Sequence, residues 1–186
     1  MLYAGIQIDA GVVIGALRST STVPDDRLNF PLSGNLATTA ELGWGVSQIA
    51  FLIALVAFSR LTAVVSSRSG RVGGRAAVLG GGLFLGGHLV CLLFPDARLA
   101  DPSGVAAASL FLIGSVFMAA GFIATGIAVL RSGLWSGWTR YTPLAVGAWM
   151  VVMIPLQFTA LLQLAVAIHA LTVGALALTI LVERDE

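Results

Sequence analysis

Long apolar stretches separated by short polar segments dominate the chain. The longest, residues 143–182, contains no Asp, Glu, Arg or Lys. As one helix it would be about 60 Å long, roughly twice the ~30 Å thickness of the hydrocarbon core of a bilayer. We therefore expect it to fold back between Pro155 and Gln163, since proline removes a backbone donor there. This gives two spans, at about 143–160 and 163–182.

Four further apolar segments predict spans at about 2–17, 39–65, 76–94 and 102–130. Boundary signals support the second, where Thr38-Thr39-Ala40-Glu41 matches a capping box, and the fourth, which Asp101-Pro102 opens. The first segment is short and contains Asp9, so the count falls to five if residues 2–17 do not span. The pattern thus predicts one all-α transmembrane domain, a polytopic helix bundle of about six spans.

Composition agrees with this pattern and excludes several functions. The chain has 58% hydrophobic and 10% charged residues, whereas about a quarter of the residues of soluble domains carry charge. All ten basic residues are arginine, so chemistry that needs a lysine amine is excluded. The net charge is +1 and no basic face interleaved with aromatic residues occurs, so no nucleic-acid partner is predicted.

The distribution of arginine predicts an orientation. Segments 60–75 and 131–140 contain six arginines, and Arg184 follows the last span. The opposite side contains Arg18, Arg27 and Arg98. By the positive-inside rule the arginine-rich segments are cytoplasmic, which places both termini of a six-span chain in the cytoplasm.

Two stretches resemble segments of a known group of proteins. They are Pro24-Asp-Asp-Arg-Leu-Asn-Phe-Pro-Leu-Ser-Gly34 and Gly137-Trp-Thr-Arg-Tyr-Thr-Pro-Leu-Ala-Val-Gly147. Both are similar to stretches of small uncharacterised multi-pass membrane proteins of high-GC bacteria. The resemblance covers the topology of most of the chain and implies a multi-pass protein of the bacterial plasma membrane. It brings no catalytic residue with it.

Polar side chains inside the predicted spans are the candidates for chemistry, because a central charge costs about 2.5–3.5 kcal/mol on insertion scales. From the predicted topology they gather towards the outer half of the membrane. The set is Asp9, Gln48, His88, Gln157 and His169.

Three interpretations of this polar cluster remain open. The side chains can hydrogen-bond across helices in a non-enzymatic structural or partner-binding protein. They can instead line an outward-facing cavity of a carrier for a small solute or a proton, with Asp9 titrating and the histidines as relays. Finally, His88 and His169, at matched predicted depth, can ligate a haem or metal in a redox subunit.

The sequence offers no catalytic motif. It lacks His-Glu-x-x-His, Gly-x-Ser-x-Gly and paired intramembrane aspartates, so we predict no enzyme activity, and no metal or cofactor outside the haem alternative. The predicted partners are the lipid bilayer and, through small-xxx-small faces, other membrane proteins or a second copy of the chain. These faces are formed by Gly11 with Gly15 and by Gly82 with Gly86.

Overall fold

A computed structural model of the chain describes residues 2–157, 159 and 161–182, apart from the side chains of residues 2, 4, 6, 9–11 and 163. These residues form seven α-helices and a 3-10 turn at Thr139–Tyr141. The helices are α1 Leu2–Arg18, α2 Gly34–Phe58, α3 Thr62–Val65, α4 Arg68–Leu93, α5 Pro102–Ser132, α6 Thr142–Leu156 and α7 Leu162–Val182. No β-strand occurs within this part of the chain, so the predicted all-α class is confirmed.

Four of the described helices, α2, α4, α5 and α7, are long and apolar enough to cross a membrane. The other two candidate spans are shorter. Helix α1 has 17 residues and α6 has 15, which correspond to about 25 Å and 22 Å. Both lengths are below the ~30 Å hydrocarbon thickness, which separates these two helices from the other four.

The six longer helices form a closed ring in chain order. Each packs against the next one, α3 lies against α4 and α5, and α7 returns to contact α1. The interior of the ring is filled by aromatic, methionine and aliphatic side chains. The buried members include Phe51, Phe58, Met118, Phe122 and Met150.

Helix α2 begins earlier than predicted, at Gly34 after Ser33. The predicted capping box is wrong, because the Thr38 hydroxyl donates to the carbonyl of Gly34 instead. Ala37 is already inside the helix and fully buried, in a small apolar cluster with Ile14 and Leu32. Burial of this turn against α1 extends the helix beyond the position that local capping signals indicated.

Helix α4 also begins before its predicted span, so part of the expected loop 66–75 is helical. The Ser67 hydroxyl accepts a hydrogen bond of 3.0 Å from the Gly70 amide and caps the helix. Arg68, Arg71 and Arg75 are exposed on the first turns. Their long side chains can reach the polar boundary of the membrane while their backbone stays in the helix.

Glycines seven residues apart line the contact between α4 and α5. They are Gly73, Gly80 and Gly87 on α4, and Gly114 and Gly121 on α5. A Cβ on Gly80 would lie 2.7 Å from the Gly114 carbonyl oxygen, and one on Gly121 would lie 2.5 Å from the Ala77 nitrogen. The two backbones therefore touch directly, as in other membrane helices that pack through small residues.

The glycines predicted for association are not those that hold α4 and α5 together. An added Cβ on Gly15 or Gly82 would meet no atom within 4 Å, and one on Gly86 would meet only the Leu110 side chain, at 3.7 Å. These positions therefore lie on open faces of the bundle. Gly11 is one of the residues of α1 whose side-chain surroundings lie outside the description.

A clasp of two loops, residues 19–33 and 94–101, closes one end of the bundle. The Leu28 amide donates to the Ala97 carbonyl at 2.9 Å, and the Leu99 amide donates to the Asp26 carbonyl at 2.8 Å. The Arg27 guanidinium pairs with Asp96 at 2.8 Å. The clasp fixes the start of α2 beside the end of α4, so that these helices run antiparallel from a shared end.

The glycine contact predicts a difference between two single substitutions. Gly121→Ala should lower the stability of the bundle by about 1–3 kcal/mol, because its methyl group would push the α4 backbone away. Gly82→Ala, the matched control on an open face, should be neutral or stabilising. Denaturant unfolding in mixed micelles, followed by helical circular dichroism, measures both. Equal effects of the two substitutions would contradict the tight contact.

Candidate functional site

An ionisable pair joins α2 and α4 inside the bundle. The Nδ1 of His88 lies 2.9 Å from Oε2 of Glu41, and the side chains are 15% and 5% exposed. Glu41 lies two turns into α2 and His88 lies a little more than one turn before the end of α4. Because the loop clasp fixes those two ends side by side, the helices bring the two groups to the same level.

Aromatic rings surround this pair. The His88 ring meets the edge of Phe111 at 5.1 Å between centroids, and Trp44 lies at 6.3 Å on the α2 side. A buried carboxylate without a partner would be strongly unfavourable in such surroundings. The imidazole stabilises it by a charge-assisted or proton-sharing hydrogen bond.

Glu41 was missed as a site residue because the sequence pattern assigned it to a helix cap. A signal for its burial is nevertheless present in the sequence. The buried positions of α2 lie one or two helical turns apart along one face and include Ala37, Glu41, Gln48, Phe51, Leu55 and Phe58. Glu41 falls on this inner face. Helical periodicity could therefore have identified Glu41 as a buried residue if α2 had been predicted to begin before residue 38.

Three glutamines with described side chains bridge neighbouring helices. Gln7 donates to the Ser47 hydroxyl at 3.2 Å, joining α1 to α2, and Gln48 donates to the Gly81 carbonyl at 3.4 Å, joining α2 to α4. Gln157, just after α6, donates to the Ser115 hydroxyl of α5 at 2.7 Å. The predicted polar residues Gln48 and Gln157 are thus engaged in separate bonds and do not share one cavity.

His169 occupies a different environment from His88. It is 3% exposed, and neither ring nitrogen has a hydrogen-bond partner. The rings of Tyr3 and Phe51 each meet it edge-on at 6.3 Å between centroids. A charge on this imidazole would therefore lack any compensating group among the described residues.

The structure does not bring the two histidines together. His88 is level with Glu41, whereas His169 is level with Phe51, which lies about 15 Å further along α2. A metal ion binds each imidazole nitrogen at about 2 Å, so these two rings do not converge on one ion in this arrangement. Among the described residues, no group of three or more His, Cys, Asp or Glu side chains could hold a metal.

The remaining candidates stand apart from the Glu41–His88 pair or outside the description. The Asp9 backbone belongs to α1, but its side chain is outside the described residues. Cys91 is buried one turn beyond His88 on α4. The Asn29 side chain reaches the carbonyl oxygens of Cys91 and Pro95, which ties the loop clasp to the turn next to the pair.

Ser115 also fixes the depth of the turn between α6 and α7. It lies thirteen residues into α5, or about 20 Å from the start of that helix at Pro102. Gln157, which bonds to it, follows α6 directly. The α6–α7 turn is therefore recessed within the bundle, well below the loop clasp.

The buried pair predicts non-additive substitutions. His88→Leu should lower stability by about 3 kcal/mol or more, because Glu41 then keeps no partner inside the bundle. The double replacement Glu41→Leu with His88→Leu should recover most of this loss, since two apolar side chains need no partner. Unfolding in mixed micelles measures both. Additive losses in the double variant would argue against the pair as a coupled unit.

Comparison of the chain with protein-family models, with curated protein sequences and with solved structures finds no match. The role of the site must therefore be argued from the contacts within the structure. Between the helices, the side chains that the structure describes form one ionisable pair, Glu41 with His88, and three neutral bonds from glutamines.

Proposed function

We propose that this chain is a non-enzymatic integral protein of the bacterial plasma membrane, with a structural or partner-binding role. One observation supports this role most directly. The side chains of Gln7, Gln48 and Gln157 form separate hydrogen bonds between neighbouring helices instead of converging on a common cavity. Such an arrangement holds helices in register and leaves few polar groups free for a reaction.

The energetic effect of these bonds is consistent with that role. An interhelical hydrogen bond in a membrane contributes about 0.6 kcal/mol on average, and up to ~2 kcal/mol in peptide systems. The glutamine bonds link α1 to α2, α2 to α4, and α5 to the end of α6. Together with the glycine contact they favour one stable arrangement of the ring.

We further propose that all six longer helices lie in the membrane and that both termini are cytoplasmic. The loop clasp, which would face outwards, contains two arginines, Arg27 and Arg98. The opposite end carries exposed arginines, including Arg68, Arg71 and Arg131. This asymmetry supports the orientation that the positive-inside rule predicts. The helices α1 and α6 would be accommodated by local thinning of the bilayer.

A second candidate is a carrier for a small solute or a proton. The buried Glu41–His88 pair favours it, because ionisable groups inside membrane helices often mark ion pathways. The relay first expected, through Asp9, His88 and His169, has less support, since His169 lies at another level and has no polar contact. A haem or metal shared by the two histidines lacks support for the same reason.

Native mass spectrometry of the protein released from a mild detergent tests the partner-binding role. We expect the chain to carry a second protein or a second copy in defined stoichiometry. A bare monomer under all mild conditions, together with solute or proton uptake by proteoliposomes, would favour the carrier instead. The same spectra report any bound haem by its mass.

Single-cysteine labelling tests the orientation. Cys91→Ala removes the one native thiol, and Thr22→Cys or Ser136→Cys then adds one at an exposed loop position at either end of the bundle. A membrane-impermeant maleimide should label Thr22→Cys in intact cells and Ser136→Cys only after permeabilisation. The reverse pattern would overturn the proposed orientation.

A further inference from the structure

We infer that Glu41 and His88 together form a binding site for one proton, which enters at the Nε2 atom of His88 from the clasp end of the bundle. The site does not depend on the structural role proposed above, because a pair can bind a proton whether or not the protein also carries it across the membrane. Three features of the pair support this inference. They are its geometry, its surroundings and its distance from the two ends of the bundle.

The geometry makes His88 the entrance and Glu41 the inner member. Nδ1 faces the Glu41 carboxylate at 2.9 Å, and no hydrogen bond to Nε2 occurs among the described residues. Nε2 nevertheless keeps some solvent exposure, whereas both nitrogens of His169 are fully buried and have no partner. The His88 side chain also keeps three times the exposed fraction of Glu41, 15% against 5%.

The surroundings contain few competing groups. Trp44 of α2 and Phe111 of α5 face the His88 ring, and the one titratable group on the adjoining turn of α4 is the buried Cys91 thiol. The loop ion pairs Arg27–Asp96 and Arg98–Asp26 lie beyond the helix ends, in the clasp. On α1 the titratable residues are Tyr3, which stacks on Phe51, Arg18, which ends the helix at the clasp, and Asp9, whose side chain is outside the described set.

The charge balance explains why such a pair takes up a proton. A Glu41 carboxylate beside a neutral imidazole carries a net charge of −1 in apolar surroundings, which is unfavourable. A proton that binds Nε2 lets the Nδ1 proton pass to Oε2 of Glu41. The product is a neutral acid beside a neutral imidazole, or equivalently a carboxylate beside an imidazolium. Both forms have zero net charge, so one proton would be shared by the two groups.

The depth of the pair indicates the side of entry. His88 lies about 8 Å from the end of α4 at the clasp, but about 30 Å from its other end at Arg68. A proton from the clasp side therefore crosses little protein before it reaches Nε2. A proton from the opposite end of the bundle would have to pass the close α4–α5 contact at Gly73 and Gly80.

The composition of the chain makes the test direct, because the sequence has two histidines in all, one paired and one isolated. Protein labelled with 15N in the histidine rings and with 13C in the glutamate carboxyl groups, reconstituted in lipid nanodiscs, is titrated by NMR. We expect the His88 nitrogens and one glutamate carboxyl carbon to shift with one common midpoint. His169 should not change over the same range.

Variants assign the signals and supply the control. Glu41→Gln keeps the shape and a hydrogen-bond acceptor, so it should abolish the shared carboxyl shift and change the His88 midpoint, since the neutral amide cannot share a proton with the imidazole. Asp96→Asn, which removes an exposed acid of the clasp, should leave the His88 titration unchanged. His169→Phe identifies the second imidazole by the loss of its signals.

Two results would overturn the inference. One is a His88 titration in the wild type with no glutamate carboxyl carbon shifting at the same midpoint, a result that does not require any variant to fold. The other is an identical His88 midpoint in the wild type and in a folded Glu41→Gln variant. Neither result would affect the native mass spectrometry outcome, so the structural role stands or falls separately.

Discussion

The direct contact between the backbones of α4 and α5 is the constraint on which the rest of the bundle depends. Glycines two turns apart on both helices let the two backbones approach directly at Gly80 with Gly114 and at Gly73 with Gly121. Dispersion forces act over such short distances, and in lipid they replace the hydrophobic effect as the source of helix association. The positions of α2 on one side and α6 on the other follow from this pair, which both of them contact.

Much of the fold could be predicted from the sequence because the bilayer imposes simple rules on length and polarity. The helical class, the reversal near Pro155 and the start of α5 at Pro102 all follow from apolar runs and proline. The starts of α2 and α4 could not be predicted in the same way. Ala37 is helical because it packs against Ile14, a contact between residues far apart in the chain. Local capping signals do not contain that information.

The site was predicted only in part, for a related reason. Polarity within the predicted spans singled out His88, which the structure places 2.9 Å from Glu41, but Glu41 itself lay near a segment boundary and matched a capping motif. Depth estimates that counted from predicted helix ends placed His169 level with His88. They assumed that all helices end at the same height, whereas the pairing of Gln157 with Ser115 shows that α6 and α7 meet lower in the bundle than α2 and α4 do.

Because of that recessed turn, the bundle is taller on one side than on the other. Around α2, α4 and α5 the protein rises a full turn or more above the Glu41–His88 level, while beside α6 and α7 it stops short. In the six-span arrangement proposed above, lipids beside α6 and α7 would have to shorten or tilt their chains to match this lower side, so the leaflet there would be thinner and more easily deformed. The membrane around the protein would therefore be thinner on one side of the bundle than on the other. This difference would follow from the shape of the bundle and requires no ligand.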